Sequence, residues 1–589
     1  MRLRENEMSG KSTDLKKRHV VSIILVLVIC VGVGWTCFYM KDCYYIDEIW
    51  SYSLSNSYGH PFLFTHTPGI NGDQSTPAEG EWDIHDEPTY HDFAYHWIDG
   101  EVYNNFITVQ NNHRFDYANV YRNQEMDTHP FLYYCLLHTV CSFFPNEFSW
   151  WFGWGINILF YLCTLILIYR ISRLLFNSHL VGILSMALWG ISRAGISDVV
   201  FLRMYMMLTF LSLLLVYATL KMIDSIKTEK LLFVFLINLA GFLTQYYFYI
   251  FSFFLTASVV VYYLIKQKWI CAIKYGLAVL LSAVVSMIAF PAIFRHAFSG
   301  TWNNVLEANT QDRGIIYSFD RFLSGVFNDY FGVSYTPEYI LALLFFFFVL
   351  LLIALKYRSK SRLQTGLFTH IASCLSRNDE LYERRYIKGT ILVIVMLTGT
   401  FIAWLSPSMG VYFGRYYLFL SPCIAISIAA CIIKIKNWIR SKLLYERLAR
   451  LVEFVPVIAI VIIVLVIGNI VELNPYVKLE NENTFDLSEY TNGKNVILCS
   501  SIPCRVNLFA TYLRNSEKAF FAETVDNRVA NQIMSNDNLV VLVEDDTYGT
   551  NMIKNIEEVF DKCGVSYKRL PDYQCGRGNG FPFGVFEVK

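Results

Sequence analysis

Apolar residues recur along this chain in long blocks rather than in one-sided stripes. The first block runs unbroken from Val20 to Met40, enough for the roughly 20 residues that a bilayer requires. Ten more lie at about 148–169, 178–193, 202–220, 231–247, 249–266, 271–294, 338–356, 389–406, 412–433 and 453–471. The pattern predicts about eleven transmembrane helices. Basic clusters set their direction. Lys11, Lys16, Lys17 and Arg18 precede the first block, which places the N-terminus in the cytoplasm. Arg170/Arg173, Lys221/Lys227/Lys230, Lys266/Lys268/Lys274, Lys356–Arg362 with Arg384/Arg385/Lys388, and Lys434–Arg450 then all fall inside if the spans alternate. The apolar stretch Pro130–Phe144 has 15 residues and contains His138. Counting it as a span would reverse every later loop, so it reads as an interfacial or re-entrant helix at the outer surface.

The polar segments between blocks complete the plan. Residues 1–18 form a cytoplasmic N-terminus. Residues 19–471 form a transmembrane domain that includes a long extracytoplasmic loop, 41–147. Residues 472–589 form an extracytoplasmic soluble domain. In that last part Asn495–Cys499 and Leu539–Val543 read as short buried strands and Ile553–Cys563 as an amphipathic helix, a small α/β domain. No Gly-rich phosphate loop or nucleophile elbow occurs in it, so it receives no catalytic role.

Composition agrees with a polytopic α-helical membrane protein: 54% of residues are apolar and 17% charged. The net charge of zero hides a segregation. Between Met40 and Asp127 there are fifteen acidic residues against Lys41, Arg114 and Arg122, which disfavours a nucleic-acid partner. The first block is too long for a signal-peptide core and lacks a small-residue cleavage site, so it is expected to stay as an uncleaved anchor in a plasma membrane. Cys499, Cys504, Cys563 and Cys575 fall in the C-terminal domain, where an exported location would allow two disulfides.

The candidate chemistry gathers at membrane boundaries. Asp47 and Glu48 stand seven and eight residues past Met40, with Tyr44, Tyr45 and Trp50 as interfacial anchors. A carboxylate held there can act on a lipid headgroup. Arg203 and Arg415 open later spans on the same expected side, next to Tyr205 and Tyr416. A guanidinium at such a position clamps phosphate in a bidentate way, or anchors the span to lipid phosphates. Eight of twelve histidines lie between His60 and His138. That density permits a divalent metal, although no HExxH spacing occurs.

Four stretches, in order, resemble the GT-C superfamily of membrane glycosyltransferases, in particular its protein-O-mannosyltransferase and aminoarabinose-transferase group. They are Tyr45-Ile-Asp-Glu-Ile-Trp-Ser-Tyr-Ser, Thr128-His-Pro-Phe-Leu-Tyr-Tyr-Cys-Leu-Leu-His138, Leu202-Arg-Met-Tyr205 and Gly414-Arg-Tyr-Tyr-Leu-Phe-Leu-Ser-Pro422. The resemblance spans residues 20–435. It implies a polyprenyl-phosphate-linked sugar as donor and no required cofactor. It also implies Asp47 as the base, with Glu48 beside it, and Arg203, Arg415, Tyr205 and Tyr416 around the donor phosphate. His129 and Asp198 become contacts for donor or acceptor. The chain departs from the family pattern at Phe201, where an acid is frequent, leaving Asp198 as the nearest one. It departs again at Phe131, in place of a second proline. The acceptor stays open among a glycan, a glycolipid and a protein hydroxyl. A transporter or lipid flippase is the competing reading.

Overall fold

The computed structural model describes residues 2–589 apart from 43, 60, 63–93, 224–225, 299–313, 332–379, 406–413, 443–473, 475, 478–482, 484, 503–504, 546–550 and 576–580. The described chain forms two compact units. One comprises residues up to 36, 158–199 and 205–474; the other comprises 37–157, 200–204 and 475–589.

The first unit is helical. The chain as a whole contains seven described helices long and apolar enough to cross a bilayer: Lys17–Tyr39, Trp150–Phe176, Tyr205–Met222, Tyr247–Ile265, Trp269–Ala289, Ile387–Leu405 and Leu418–Asn437. The helices His179–Gly190 and Arg193–Val200, bent by 59° at their junction, make an eighth crossing if they form one broken span. This is a multi-pass membrane protein. The block at 231–247 folds as Thr228–Phe242, only 15 residues, and the blocks at 338–356 and 453–471 lie outside the described residues.

Small residues and buried polar pairs join these helices, the usual means of packing where lipid removes the hydrophobic drive. A β-carbon on Gly190 would lie 2.5 Å from the Cys30 sulfur; only glycine lets the two helices approach so closely. The Trp189 indole N–H donates to Ser421 Oγ at 2.8 Å, and Ser252 Oγ donates to Asn238 at 2.5 Å.

The second unit is built on a six-stranded mixed sheet. Its strands are β1 (Trp97–Asp99), β2 (Asn495–Cys499), β3 (Lys518–Ala522), β4 (Leu539–Glu544), β5 (Tyr567–Cys575) and β6 (Phe581–Val588), in the order β1-β3-β2-β4-β6-β5. β2 is parallel to both β3 and β4, and the other pairs are antiparallel. The expected strands at 495–499 and 539–543 are both present, and the expected helix is Met552–Cys563. Every residue of β4 is buried, as a central strand covered on both faces requires. β1 comes from the long first loop and pairs with β3 through Trp97 opposite Phe520. Just after it, a β-carbon on Gly100 would meet the Ser516 carbonyl oxygen at 2.2 Å, so the loop closes onto the C-terminal domain only through a residue without a side chain. Cys499 and Cys563 are free thiols, so neither enters the disulfides the sequence allowed. Cys504 lies outside the described residues.

Four helices of the first loop complete this unit: Ile46–Asn56, Gly100–Ile107, Tyr117–Glu125 and Leu132–Ser142. The last corresponds to the apolar stretch Pro130–Phe144. At eleven residues it is about 16 Å long, half a bilayer core.

Candidate active site

Asp47 and Glu48 open the helix Ile46–Asn56, yet they have different surroundings. A carboxylate at the third helical position reaches back to the N–H before the helix, satisfying a donor the helix leaves open. Glu48 does this: Tyr45 N donates to its Oε2 at 2.8 Å. Its Oε1 accepts from Lys41 Nζ at 2.5 Å and from Leu202 N at 2.9 Å. Neither the Glu48 nor the Lys41 side chain is exposed. Burial pushes the Glu48 pKa above the ordinary carboxylate value, against the pull of Lys41 and the two backbone N–H groups. Glu48 is thus a buried clamp: it stands beside Asp47 in sequence, while its oxygens face Lys41, Tyr45 and Leu202.

The clamp fixes the segment Val200–Met204. Lys41 Nζ also donates to the Val200 carbonyl at 2.9 Å, and Asn157 Nδ2 donates to the Phe201 carbonyl at 2.8 Å. With Leu202 N on Glu48, three consecutive residues are tied by side chains from distant parts of the sequence. Arg203 follows them. Its Nη1 donates to the Asp47 carbonyl at 3.0 Å, and its Nη2 lies 3.8 Å from Asp47 Oδ1. The Asp47 side chain keeps 15% exposure and Arg203 keeps 4%. The structure therefore brings together two of the expected site residues, 156 positions apart, as a carboxylate open to solvent beside a buried guanidinium.

His129 joins the same unit through a residue that sequence reasoning passed over. Its Nδ1 lies 2.8 Å from Asp127 Oδ2. Burial alone would raise the Asp127 pKa, but His129, its hydrogen bond and the charge of Arg203 outweigh it and hold it at about 2. Tyr133 and Tyr134, fully buried, also feel Arg203; burial nevertheless drives both phenols well up. Asp127, two residues before His129 in the run Asp-Thr-His-Pro, was the available signal. Lys41 was visible only as a basic residue in an acidic loop.

The remaining expected residues lie in the helical unit. Arg415 Nη2 donates to the Tyr416 hydroxyl at 3.0 Å, and the Tyr416 ring contacts Tyr205 and Tyr247, with centroids 6.4 and 5.0 Å away. Two motif stretches thus meet through Tyr205 and Tyr416. Asp198 is fully buried on the helix Arg193–Val200, where Thr209 Oγ1 donates to its Oδ2 at 2.6 Å. Among the described residues, no group of three or more His, Cys, Asp or Glu has the arrangement of a metal site. Of the eight histidines between His60 and His138, His60, His66, His85 and His91 lie outside the described residues.

No protein-family model matches the chain, and no curated protein matches it either. Among solved structures, it aligns over 95% of its length with 97% of ArnT from Cupriavidus metallidurans bound to undecaprenyl phosphate, at 10% sequence identity and a TM-score of 0.42.

Proposed function

We propose that this protein is a membrane glycosyltransferase. It moves a sugar from a polyprenyl-phosphate donor to an acceptor hydroxyl on the extracytoplasmic face. The observation that carries this reading is the Asp47–Arg203 pair, held by the Lys41–Glu48 clamp. Transfer from a lipid phosphate needs a base for the acceptor proton and positive charge for the departing phosphate. These two groups are 3.8 Å apart.

In the proposed step, the acceptor O–H proton passes to the Asp47 carboxylate as the oxygen attacks the anomeric carbon. The bond from that carbon to the phosphate oxygen breaks, and its electron pair leaves with the polyprenyl phosphate. Arg203 neutralises that anion through charge-assisted hydrogen bonds. Arg415, Tyr416 and Tyr205 keep the donor-phosphate role that the sequence resemblance implies for them. A single displacement inverts the anomeric configuration, and a retained product would overturn it. Glu48 is a positioning residue, and His129 with Asp127 orients a bound group. The membrane orientation is the one the basic clusters predict, with the N-terminus cytoplasmic and the C-terminal domain outside.

The test is release of polyprenyl phosphate by the full chain in nanodiscs supplied with a panel of polyprenyl-phosphate sugars. Release by wild type and its loss in Asp47→Asn are expected. Equal release by both would remove Asp47 from the role of base.

One observation favours a second reading. Asp198 is a fully buried carboxyl on a bent helix pair, and an ionisable group in a broken span marks transport pathways. A lipid or glycolipid flippase would move labelled lipid between leaflets without releasing polyprenyl phosphate, and Asp198→Asn would stop it.

A further inference from the structure

The helix Leu132–Ser142 carries apolar residues on both faces. Tyr133, Tyr134, Leu137 and Cys141 are buried in the second unit. Cys135, Leu136 and Val140 point the other way and stay half-buried, and Phe143 at the C-cap is 63% exposed. An outward helix face of that composition suits lipid rather than water. Aromatic contacts fix the level at which it lies. Phe144 stacks on Phe152, in the first turn of the span Trp150–Phe176, with centroids 5.0 Å apart. The first turn of a span lies at the bilayer boundary. Phe115 meets Phe143 edge-on at 5.4 Å. Its backbone sits in the left-handed region, at φ 59°, which a bulky residue adopts only where its surroundings impose it. Here Phe115 N donates to Ser142 Oγ at 3.0 Å, and Arg114 Nε donates to the Ser142 carbonyl at 2.7 Å. The loop is stapled to the end of the helix, and Phe115 joins the exposed patch.

Beside the patch runs a groove of about 540 Å³. Tyr117, Tyr121, Phe131 and Cys135 line it, together with Arg122 and Glu125. Cys135, Thr139 and Phe143 follow one another at four-residue spacing along one stripe of the helix, so groove and patch form one surface. The Tyr117 hydroxyl, 3.0 Å from Thr139 Oγ1, ties the helix Tyr117–Glu125 to that stripe. Arg122 and Glu125 carry opposite charges on the same groove, so charge selects neither an anion nor a cation. What the groove offers is apolar surface and length. The helix beside it is about 16 Å long, the depth of one leaflet of the hydrocarbon core. An acyl chain matches that length, and a polyprenyl tail exceeds it.

We infer that this groove seats an acyl chain of a bilayer phospholipid, with Phe115, Phe143 and Phe144 embedded beside it. The leaflet is the outer one in the orientation proposed above. Glu125 and Phe131 flank Asp127 and His129 in the chain, and Asp127 feels the charge of Arg203. A seated lipid therefore holds the Asp47–Arg203 pair at the depth of the headgroups. The occupant is a resident lipid and not the substrate, so the inference does not rest on the glycosyltransferase reading.

Photolabelling of the full chain tests it, in nanodiscs of phosphatidylethanolamine and phosphatidylglycerol doped with a phospholipid that carries a diazirine near one chain end. Peptide mapping after illumination is expected to find labels at Tyr117–Tyr121 and Phe131–Cys135. The helix Trp269–Ala289, whose Leu277, Leu280 and Leu281 are exposed, serves as the lipid-facing control. Cys135→Trp fills the groove and should lose the groove labels while keeping those on the control helix. Ala118→Trp fills it from the neighbouring helix, where Ala118 lines the groove, and should give the same loss. The inference is overturned by labels on the control helix with none in the groove, or by groove labels that persist in a folded Ala118→Trp protein. It is overturned as well by a diazirine-bearing polyprenyl phosphate that labels the groove in preference to the phospholipid. Release of polyprenyl phosphate is scored separately, so a protein that binds the lipid without transferring sugar would remove the transferase reading alone.

Discussion

Replacing Lys41 by methionine is the sharpest perturbation of the site. The side-chain length is nearly kept, so packing changes little, but Glu48 loses the ammonium of Lys41 that pairs with it while remaining wholly buried. Two backbone N–H bonds, from Tyr45 and Leu202, stay on its oxygens. The Val200 carbonyl loses the Lys41 ammonium as donor. Breaking one side of a buried ion pair costs about 3–5 kcal/mol, because an uncompensated charge remains. The double variant Lys41→Met/Glu48→Gln removes both charges. It should recover more than half of that loss, since replacing a whole buried pair is often nearly neutral. A double-mutant cycle on urea unfolding, read by cysteine accessibility within the second unit, measures the coupling. Activity gives a second readout: Arg203 depends on the clamped segment, so Lys41→Met should lose polyprenyl phosphate release even below its unfolding transition. A Lys41→Met protein within about 1 kcal/mol of wild type would refute the clamp, and so would a double variant no more stable than the single one.

Asp47→Asn should reduce turnover by about 100-fold or more while donor binding persists, as loss of a general base does; loss of donor binding instead would place Asp47 on the donor. Arg415→Ala should raise the donor KM by at least tenfold with the fold intact, and an unchanged KM would remove Arg415 from the phosphate. Asp127 is held at about 2, below the 3.8 of an ordinary aspartate. Its ionised form therefore contributes about 2 kcal/mol above pH 4, and the contribution vanishes as pH falls through 2. Asp127→Asn should accordingly lower stability more at pH 6 than at pH 2, and equal losses at both would contradict the pairing with His129. Gly100→Ala should destabilise the second unit by about 1–3 kcal/mol through its collision with the Ser516 carbonyl; a neutral effect on amide exchange in β3 would show that the contact yields.

The regular parts of the molecule were legible because they follow local rules. Apolar blocks locate the seven long apolar helices among the described residues, and the short apolar runs at 495–499 and 539–543 locate the central strands. The places of Asp47, Arg203, Tyr205 and Tyr416 at the ends of blocks are likewise read from sequence; that Asp47 lies beside Arg203 is not. What was hidden depends on contacts that no window contains. Nothing near Lys41 marks it as the partner of Glu48 and of the Val200 carbonyl. Asp127 looks like one more acid in an acidic loop until His129 and Arg203 surround it. The strand β1 has three residues, too few to show an alternating pattern. The different surroundings of Asp47 and Glu48 were hidden for the same reason: adjacent acids look equivalent in sequence, but a helix turns successive side chains about 100° apart.

The pairing of β1 with β3 also bears on how the molecule is made. Trp97–Asp99 finds its neighbours only at Lys518–Phe520, about 420 residues later. At ribosomal speeds of 5–20 residues per second, the early loop waits roughly 20–85 s for its partner. During that interval its helices have no C-terminal sheet to lean on, and the β3 edge that β1 later covers does not yet exist. Closure of this unit is thus a late, post-insertion event, and the loop is most exposed to proteases and to mispairing while the remaining spans are still being threaded.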